Sequence, residues 1–315
     1  MARSTEAMPP DSRFLSTLLL SNMPSPRVLC LGEMLPGPSE PQAAQTEVVA
    51  ATLGDALAHV ACALAKLGTP TALMGRLGDD VTAQDLWGAL QGAGVNLEGT
   101  QDKGSPTLLP IELFKSAEYL VLGSLALAQP EAAVEKALDL ADEYYLKVVV
   151  DVNWPASVGA EGAIASEKIK ENMKEKTLAL MQRADFLKLS EGEAKWLLGT
   201  ADPLDILRQL EQLEGVFVTS GRLGAAYAFT QGLVGQQAGF VTAVQDAAGA
   251  GESFLAGLLH QLVALGMGGL SNTSQVEMMM RYASAAAALT TMKAGAIAAQ
   301  PSHAEIESFL VGRVD

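Results

Sequence analysis

Two rhythms of apolar and polar positions alternate along most of this chain. Short aliphatic or β-branched runs are each followed by a stretch of helical period, and the pairing recurs. Val28–Leu31 reads as a strand closed by Gly32, and Ala56–Leu67 carries the i, i+3, i+4 spacing of a helix that stops at Gly68. Thr71–Met74 is a predicted strand, Thr82–Ala93 a helix opened by an Asp79/Asp80 cap, Tyr119–Leu122 a strand, and Pro130–Tyr144 a helix with proline near its start. Lys147–Asp151 is β-branched through its middle, as a parallel strand buried on both faces requires. Lys168–Arg183 follows as a helix, Phe186–Leu189 as a strand and Glu191–Leu198 as a helix. Strands are expected over Val216–Thr219, Ala225–Thr230 and Phe240–Val244, and long helices over Gly251–Leu265 and Gln275–Met292.

Repeated β-α alternation predicts an α/β fold with a mainly parallel central sheet covered by helices on both faces. In such sheets ligands collect beyond the carboxyl ends of the strands. The polar or glycine-rich stretches expected there are Gly32-Glu33, Gly54-Asp55, Asp151-Val152-Asn153, Ser190–Glu193, Ser220-Gly221 and Asp246–Glu252. Residues 1–27 lack either rhythm. They carry Arg3, Arg13 and Arg27 and many hydroxyls, so they read as a disordered leader or an organelle-targeting remnant. Residues 28–315 read as one domain.

Composition narrows the function. The 315 residues hold 21 Lys+Arg against 36 Asp+Glu, a formal charge of −15. That balance argues against a general nucleic-acid binder, which needs basic surface to neutralise phosphates. With 49% apolar residues the chain is a folded globular protein, and with no apolar run of about 18 residues a membrane span is not expected. Cys30 and Cys62 sit in apolar runs and read as small buried residues. His59, His260 and His303 are far apart in sequence and lack metal-ligand spacing, so no metal framework is expected.

The stretch VQDAAGAGESFLAGLLHQL carries the sharpest chemistry. Gly249, Ala250 and Gly251 let the backbone approach a ligand, and their N–H groups with the following helix N-terminus form an anion hole. Glu252 stands in the first turn, beside any phosphate held there. An acid so placed can take a proton from an attacking hydroxyl, as phosphoryl transfer asks of a base. In isolation the string is equally compatible with a plain helix start whose Glu favours the dipole.

Several stretches in order make the chain resemble the PfkB/ribokinase family of carbohydrate kinases, on the fructokinase branch of cyanobacteria and plastids. They are VLCLGEML, GDALAHVACALAKLGTPTALMGRLGDD, YLVLGSLALAQPE, KVVVDVNW, ADFLKLSEGEAKWLLG, GVFVTSGRLGAAYA and DAAGAGESFLAGLLHQL. The resemblance implies a ribokinase-like three-layer α/β/α sandwich and, in active members, ATP and Mg²⁺ used to phosphorylate a sugar hydroxyl. Carried over by position, it puts Asp246, Gly249, Ala250 and Gly251 in the second signature, with Glu252 where the family has its Asp base. It puts Glu193 at the acid of the Asn-x-x-Glu motif, with Ser190 for Asn, and Ser220, Gly221 and Gly224 in the turn under the nucleotide. On the sugar side it implies contacts at Gly37, Gly54, Asp55, His59 and Asn153.

The same comparison shows departures. Gly37 replaces a sugar-binding Asp, Asp55 a glycine, His59 an asparagine, Ala247 a threonine and Pro155 an arginine. The Asn96–Tyr119 segment is shorter than the family's, so the lid is expected to be reduced or absent. The resemblance therefore implies a fructokinase-like protein with a degenerate sugar site, acting as a structural or regulatory subunit of a larger assembly, with ATP and Mg²⁺ binding weak or absent. The alternative is an active ATP-dependent fructokinase with Glu252 as base. Leader and branch together point to a plastid, with the cytoplasm as the alternative. The Lys103–Phe114 loop is expected at a contact with another chain through Leu108, Leu109, Pro110 and Ile111, or else packed into the chain's own core.

Overall fold

The computed structural model describes residues 24–34, 56–78, 81–102, 108–123, 131–154 and 167–313. Its strands are β1 Val28–Met34, β2 Thr71–Leu77, β3 Thr100–Asp102, β4 Tyr119–Gly123, β5 Lys147–Asp151, β6 Phe186–Ser190, β7 Gly215–Thr219, β8 Gly224–Phe229 and β9 Val234–Ala238. Among the described residues they form one nine-stranded sheet in the order β3-β2-β1-β4-β5-β6-β7-β8-β9. Pairing is parallel from β3 to β7 and antiparallel from β7 to β9. The chain fills one side of β1, then returns to its other side with β4. In open α/β sheets ligands bind beyond the carboxyl ends of the strands.

The helices are α1 Ala56–Lys66, α2 Val81–Ala93, α3 Ile111–Ser116, α4 Glu131–Glu143, α5 Glu167–Met181, α6 Glu191–Leu198, α7 Pro203–Gln209, α8 Ala250–Leu265, α9 Thr273–Thr291 and α10 His303–Val311. They cover both faces of the sheet, and the two-residue period of the strands feeds both layers. Leu29, Leu31, Leu120, Leu122, Val148, Val150, Leu187 and Leu189 pack into a core with α4 and α7. Val28, Cys30, Tyr119, Val121, Val149, Phe186 and Phe217 point the other way, against α1, α8 and α9. The central strands are therefore apolar on both faces through most of their length, as a doubly covered parallel sheet demands, with Lys188 of β6 and Asp151 of β5 as buried charged exceptions. Cys30 and Cys62 are buried free thiols, and burial pushes both up from the ordinary thiol range.

The expected strand over Phe240–Val244 is not formed. The last strand is β9, and Val241 and Val244 are exposed. The β-branched content there suggested a strand, but pairing decides. A turn around Gly232 returns the chain beside β8 with Val234 opposite Ala228, so the polar VGQQA takes the edge position. The sequence reading also passed over β3, α3, α7 and α10, which are short or weakly patterned. The Asp79/Asp80 cap, residues 1–23 of the leader and Lys103–Thr107 lie outside the described residues. Between Thr100 and Tyr119 the described residues supply β3 and α3, and no described strand lies outside the one sheet. No described helix is long and apolar enough to cross a membrane.

The helical layer over α1 is tied together by a polar cluster that sequence distance hides. His260 of α8 and His303 of α10 come within 5.3 Å between ring centroids. His260 Nδ1 meets Thr69 Oγ1 at 2.8 Å, and His303 Nδ1 meets the Tyr282 hydroxyl at 2.7 Å. Burial, with His303 adding to it, holds the His260 imidazole down at about 4. The unfolded chain binds that proton near the ordinary imidazole value of 6.5, so this histidine's contribution to stability is present above about 6.5 and is lost as pH falls towards about 4. His260→Phe is expected to flatten the loss of stability between those two pH values, read as urea midpoints against pH. An unchanged slope would show that the cluster does not govern acid sensitivity.

Candidate functional site

The carboxyl ends of β5 and β6 and the start of α8 converge. β5 ends at Asp151, which lies opposite Lys188 of β6 in the parallel register. Lys188 Nζ donates to Asp151 Oδ1 at 2.8 Å, and both side chains are buried. Asp151 Oδ2 is also buried and has no hydrogen-bond partner. Burial pushes the Asp151 carboxyl up to about 6, against the pull of Lys188, while Glu193 and Glu252 add to the push. Burial works against the Lys188 ammonium too, but Asp151, Glu193 and Glu252 outweigh it and hold the lysine above its ordinary range. At neutral pH the pair is ionised.

Beyond Asp151 the chain bends sharply. Asn153 sits at φ 34°, in the left-handed half of the map, which asparagine tolerates better than most residues. Its Nδ2 donates to Glu252 Oε1 at 3.4 Å. The bend is clamped from the next unit. Glu193 accepts from the Trp154 amide through one oxygen and from the Ser190 amide through the other, both at 2.6 Å. Ser190 and Glu193 form a capping box that opens α6, which explains how serine serves at this position. Trp154 Nε1 donates to Thr177 Oγ1 at 3.2 Å and anchors the bend to α5.

α8 begins at Gly249, in left-handed conformation at φ 79° with no side-chain cap. A Cβ there would meet the Ala296 carbonyl at 2.8 Å, so only glycine fits. Asp246 holds the approach to this turn. Its carboxylate accepts from the amides of Ala248 at 3.0 Å and Gly295 at 3.1 Å. Those amides, Ala248 first, keep the Asp246 carboxyl below its ordinary range. The first-turn N–H groups of a helix have no intrahelical partner; the Ala250 amide is taken up by the Ala247 carbonyl, which leaves Gly251 and Glu252 to present donors at this end of the helix. A Cβ on Gly251 would lie 3.4 Å from Lys188 Nζ, which puts the ammonium beside that first turn.

Asp246, Gly249, Ala250, Gly251, Glu252, Asn153 and Glu193 are thus linked around one place. Ser220, Gly221 and Gly224 shape the turn after β7. The Ser220 amide donates to the Gly224 carbonyl, and a Cβ on Gly224 (φ 104°) would collide with the Gln237 carbonyl of β9. His59 lies half-buried on α1, where its carbonyl accepts from Gln300 Nε2 at 2.9 Å. Gly37, Gly54 and Asp55 lie outside the described residues. Sequence reasoning missed Lys188. Its signal was a lone lysine inside the apolar strand FLKLS, in the strand after the one that ends on Asp151. Gly251→Val is expected to cut affinity for Mg-ATP at least about tenfold, roughly 1.4 kcal/mol, measured by calorimetry. Unchanged binding would place nucleotide phosphate elsewhere.

A family model described as pfkB family carbohydrate kinase matches residues 27–303. "Probable fructokinase-6, chloroplastic" of Arabidopsis thaliana is 28% identical over 340 residues, covering 93% of this chain and 85% of its own. Fructokinase-2 of Solanum lycopersicum is 29% identical, covering 82% of this chain and 87% of its own. Among solved structures, the ATP-bound fructokinase of Xylella fastidiosa superposes with a TM-score of 0.73 at 22% identity, over 90% of this chain and 98% of that one. The Vibrio cholerae O395 fructokinase with fructose, ADP and calcium ion bound gives 0.71 at 22% identity, over 91% and 99%. By sequence across nearly its whole length, this chain belongs to the pfkB family of carbohydrate kinases.

Proposed function

We propose that this chain is a fructokinase-like protein that keeps the phosphate side of the kinase site, binds Mg-ATP weakly, and transfers the phosphoryl group poorly because its sugar side is altered. One observation carries the reading: the Gly249–Gly251 turn sits beside a buried, ionised Lys188–Asp151 pair, with Glu252 in the first turn. In a productive reaction the sugar hydroxyl oxygen attacks the γ-phosphorus and a new O–P bond forms. The bond from the γ-phosphorus to the β,γ-bridging oxygen breaks, its electron pair leaves with ADP, and the hydroxyl proton passes to Glu252. The turn's amides hold the charge that spreads over the γ-oxygens.

A divalent cation suits the residues present. Asp151 has a buried, unpartnered oxygen, and Glu193 lies beside the pair. Among the described residues no three His, Cys, Asp or Glu side chains are grouped to ligate a metal directly. That combination suits Mg²⁺, which keeps most of its waters and leans on one or two carboxylates and the substrate phosphates. When bound it neutralises phosphate charge, and Asp151 and Glu193 would hold it through its waters.

The attenuation rests on side chains. Glu252 carries its carboxylate about 1 Å farther out than an aspartate, a displacement that can cost about 100-fold. Gly37, Asp55 and His59 replace hydrogen-bonding or bare-backbone positions that the resemblance assigns to sugar recognition, and a site built on hydrogen bonds rejects a poorly matched ligand steeply. A subunit role in a larger assembly follows from this reading. Leu108 and Ile111 add support, since both are exposed while Leu113 and Phe114 of the same segment are buried. The chloroplastic relative and the Arg-containing leader support a plastid setting.

A second reading, an active fructokinase, is favoured by the Asn153 hydrogen bond that orients Glu252. A coupled ADP-release assay over a sugar panel separates the two. The expectation is Mg-ATP binding with fructose turnover well below the ordinary kinase range of about 1–100 per second. Gly37→Asp, Asp55→Gly, His59→Asn and Glu252→Asp together should raise it more than Glu252→Asp alone. Wild-type turnover inside that range would establish the active kinase instead.

A further inference from the structure

We propose that Lys188 is a positioning residue of the phosphate site: pinned by Asp151 beneath the first turn of α8, its ammonium is the fixed cation that lets this turn hold the terminal phosphate of a nucleotide next to Glu252. The proposal rests on the phosphate-binding reading above and names the residue on which that binding depends.

The place of Lys188 in the strand is costly. Transfer of an ammonium and a carboxylate out of water carries a large desolvation cost, and a pair of apolar side chains of similar size is often as stable or more so. Here the cost is only partly offset, because Asp151 Oδ2 is left without a partner. The location adds a second argument. Lys188 and Asp151 are the cross-strand neighbours at the end of β5, and the ammonium lies beside Gly251 in the first turn of α8. The local charges supply a third. Asp151 pairs with the ammonium directly, and Glu193 and Glu252 add their negative charge from farther off. A polyphosphate entering that field would be repelled without Lys188, and Pro155 stands where the family resemblance places an arginine. Helix amides give partial charges at best. Lys188 supplies a whole one at the same end of the helix.

A charge that acts on phosphate and a charge that merely neutralises Asp151 make different predictions. Lys188→Met removes the ammonium and leaves Asp151 bare, while Lys188→Met with Asp151→Leu removes both charges and keeps an apolar pair that can fold. Calorimetry on the full chain would compare Mg-ATP, adenosine and inorganic pyrophosphate, with thermal unfolding of each variant as control. The expected result is a loss of about 10–100-fold for pyrophosphate without a divalent cation in both variants, the readout that does not pass through the cation Asp151 would hold, with Mg-ATP falling alongside it, adenosine affinity changed less than about twofold and the double variant as stable as wild type. A double variant that binds Mg-ATP like wild type would overturn the proposal, leaving Lys188 as a counter-ion to Asp151 only. Equal losses for adenosine and Mg-ATP would overturn it as well, since that is the mark of a structural role. If wild type binds pyrophosphate through Lys188 but not Mg-ATP, the proposal for Lys188 stands and the nucleotide-binding reading fails. If wild type binds neither, both fail.

Discussion

Burying an ammonium at the carboxyl edge of a parallel sheet imposes a constraint that the surrounding structure obeys. Lys188 cannot reach bulk water, so Asp151 must lie opposite it, and that requirement reinforces the alignment of β5 with β6. With Asp151 spent on the pair, the chain beyond must turn away, and Asn153 takes the left-handed bend. Glu193 then fastens the bend through two backbone amides, one from the bend after β5 and one from the end of β6. The start of α8 closes over the result, with a glycine at the closest approach to the ammonium. Each step is local and each depends on the one before, so a site made of three separate chain segments keeps one geometry.

The central architecture was legible because two periodicities rarely coincide by chance. Strands such as KVVVD and helices such as ALAHVACALAK declare themselves through continuous β-branching or helical spacing, and their order implied the parallel sheet. The glycine turn before α8 was legible for a similar reason, since its composition suits few conformations. Elements defined by pairing were not. FVTAV looks like a strand yet has no partner, while VGQQA looks like a loop and becomes one because a tight turn lays it on β8. The His260–Tyr282–His303 cluster also escaped, because it joins three helices that sequence separation keeps apart.

At the site, sequence reading found residues by type and position in a motif, and it found most of the acids. It could not show that Glu193 serves two backbone amides, that Ser190 caps a helix, or that Asp246 ties the approach to α8 to the Gly295 turn. Those roles live in backbone geometry, which composition does not carry. Lys188 was hidden for the opposite reason. A single charged residue in a strand ordinarily reads as an outward-facing one, and only the register with Asp151 reveals that it points inward.

The layer that covers β1 has a consequence for how the chain is made. Val28, Cys30 and α1 come from the first fifth of the sequence, yet α8 and α9, near its end, complete the core around them. Arg27 reaches the Val263 carbonyl and Tyr119 the Leu262 carbonyl, so the first strands are tied to the last long helices. During synthesis at roughly 5–20 residues per second, the apolar face of α1 waits tens of seconds at the lower end for its cover. A ribosome-bound chain interrupted before α8 exposes that face to solvent and to other nascent chains.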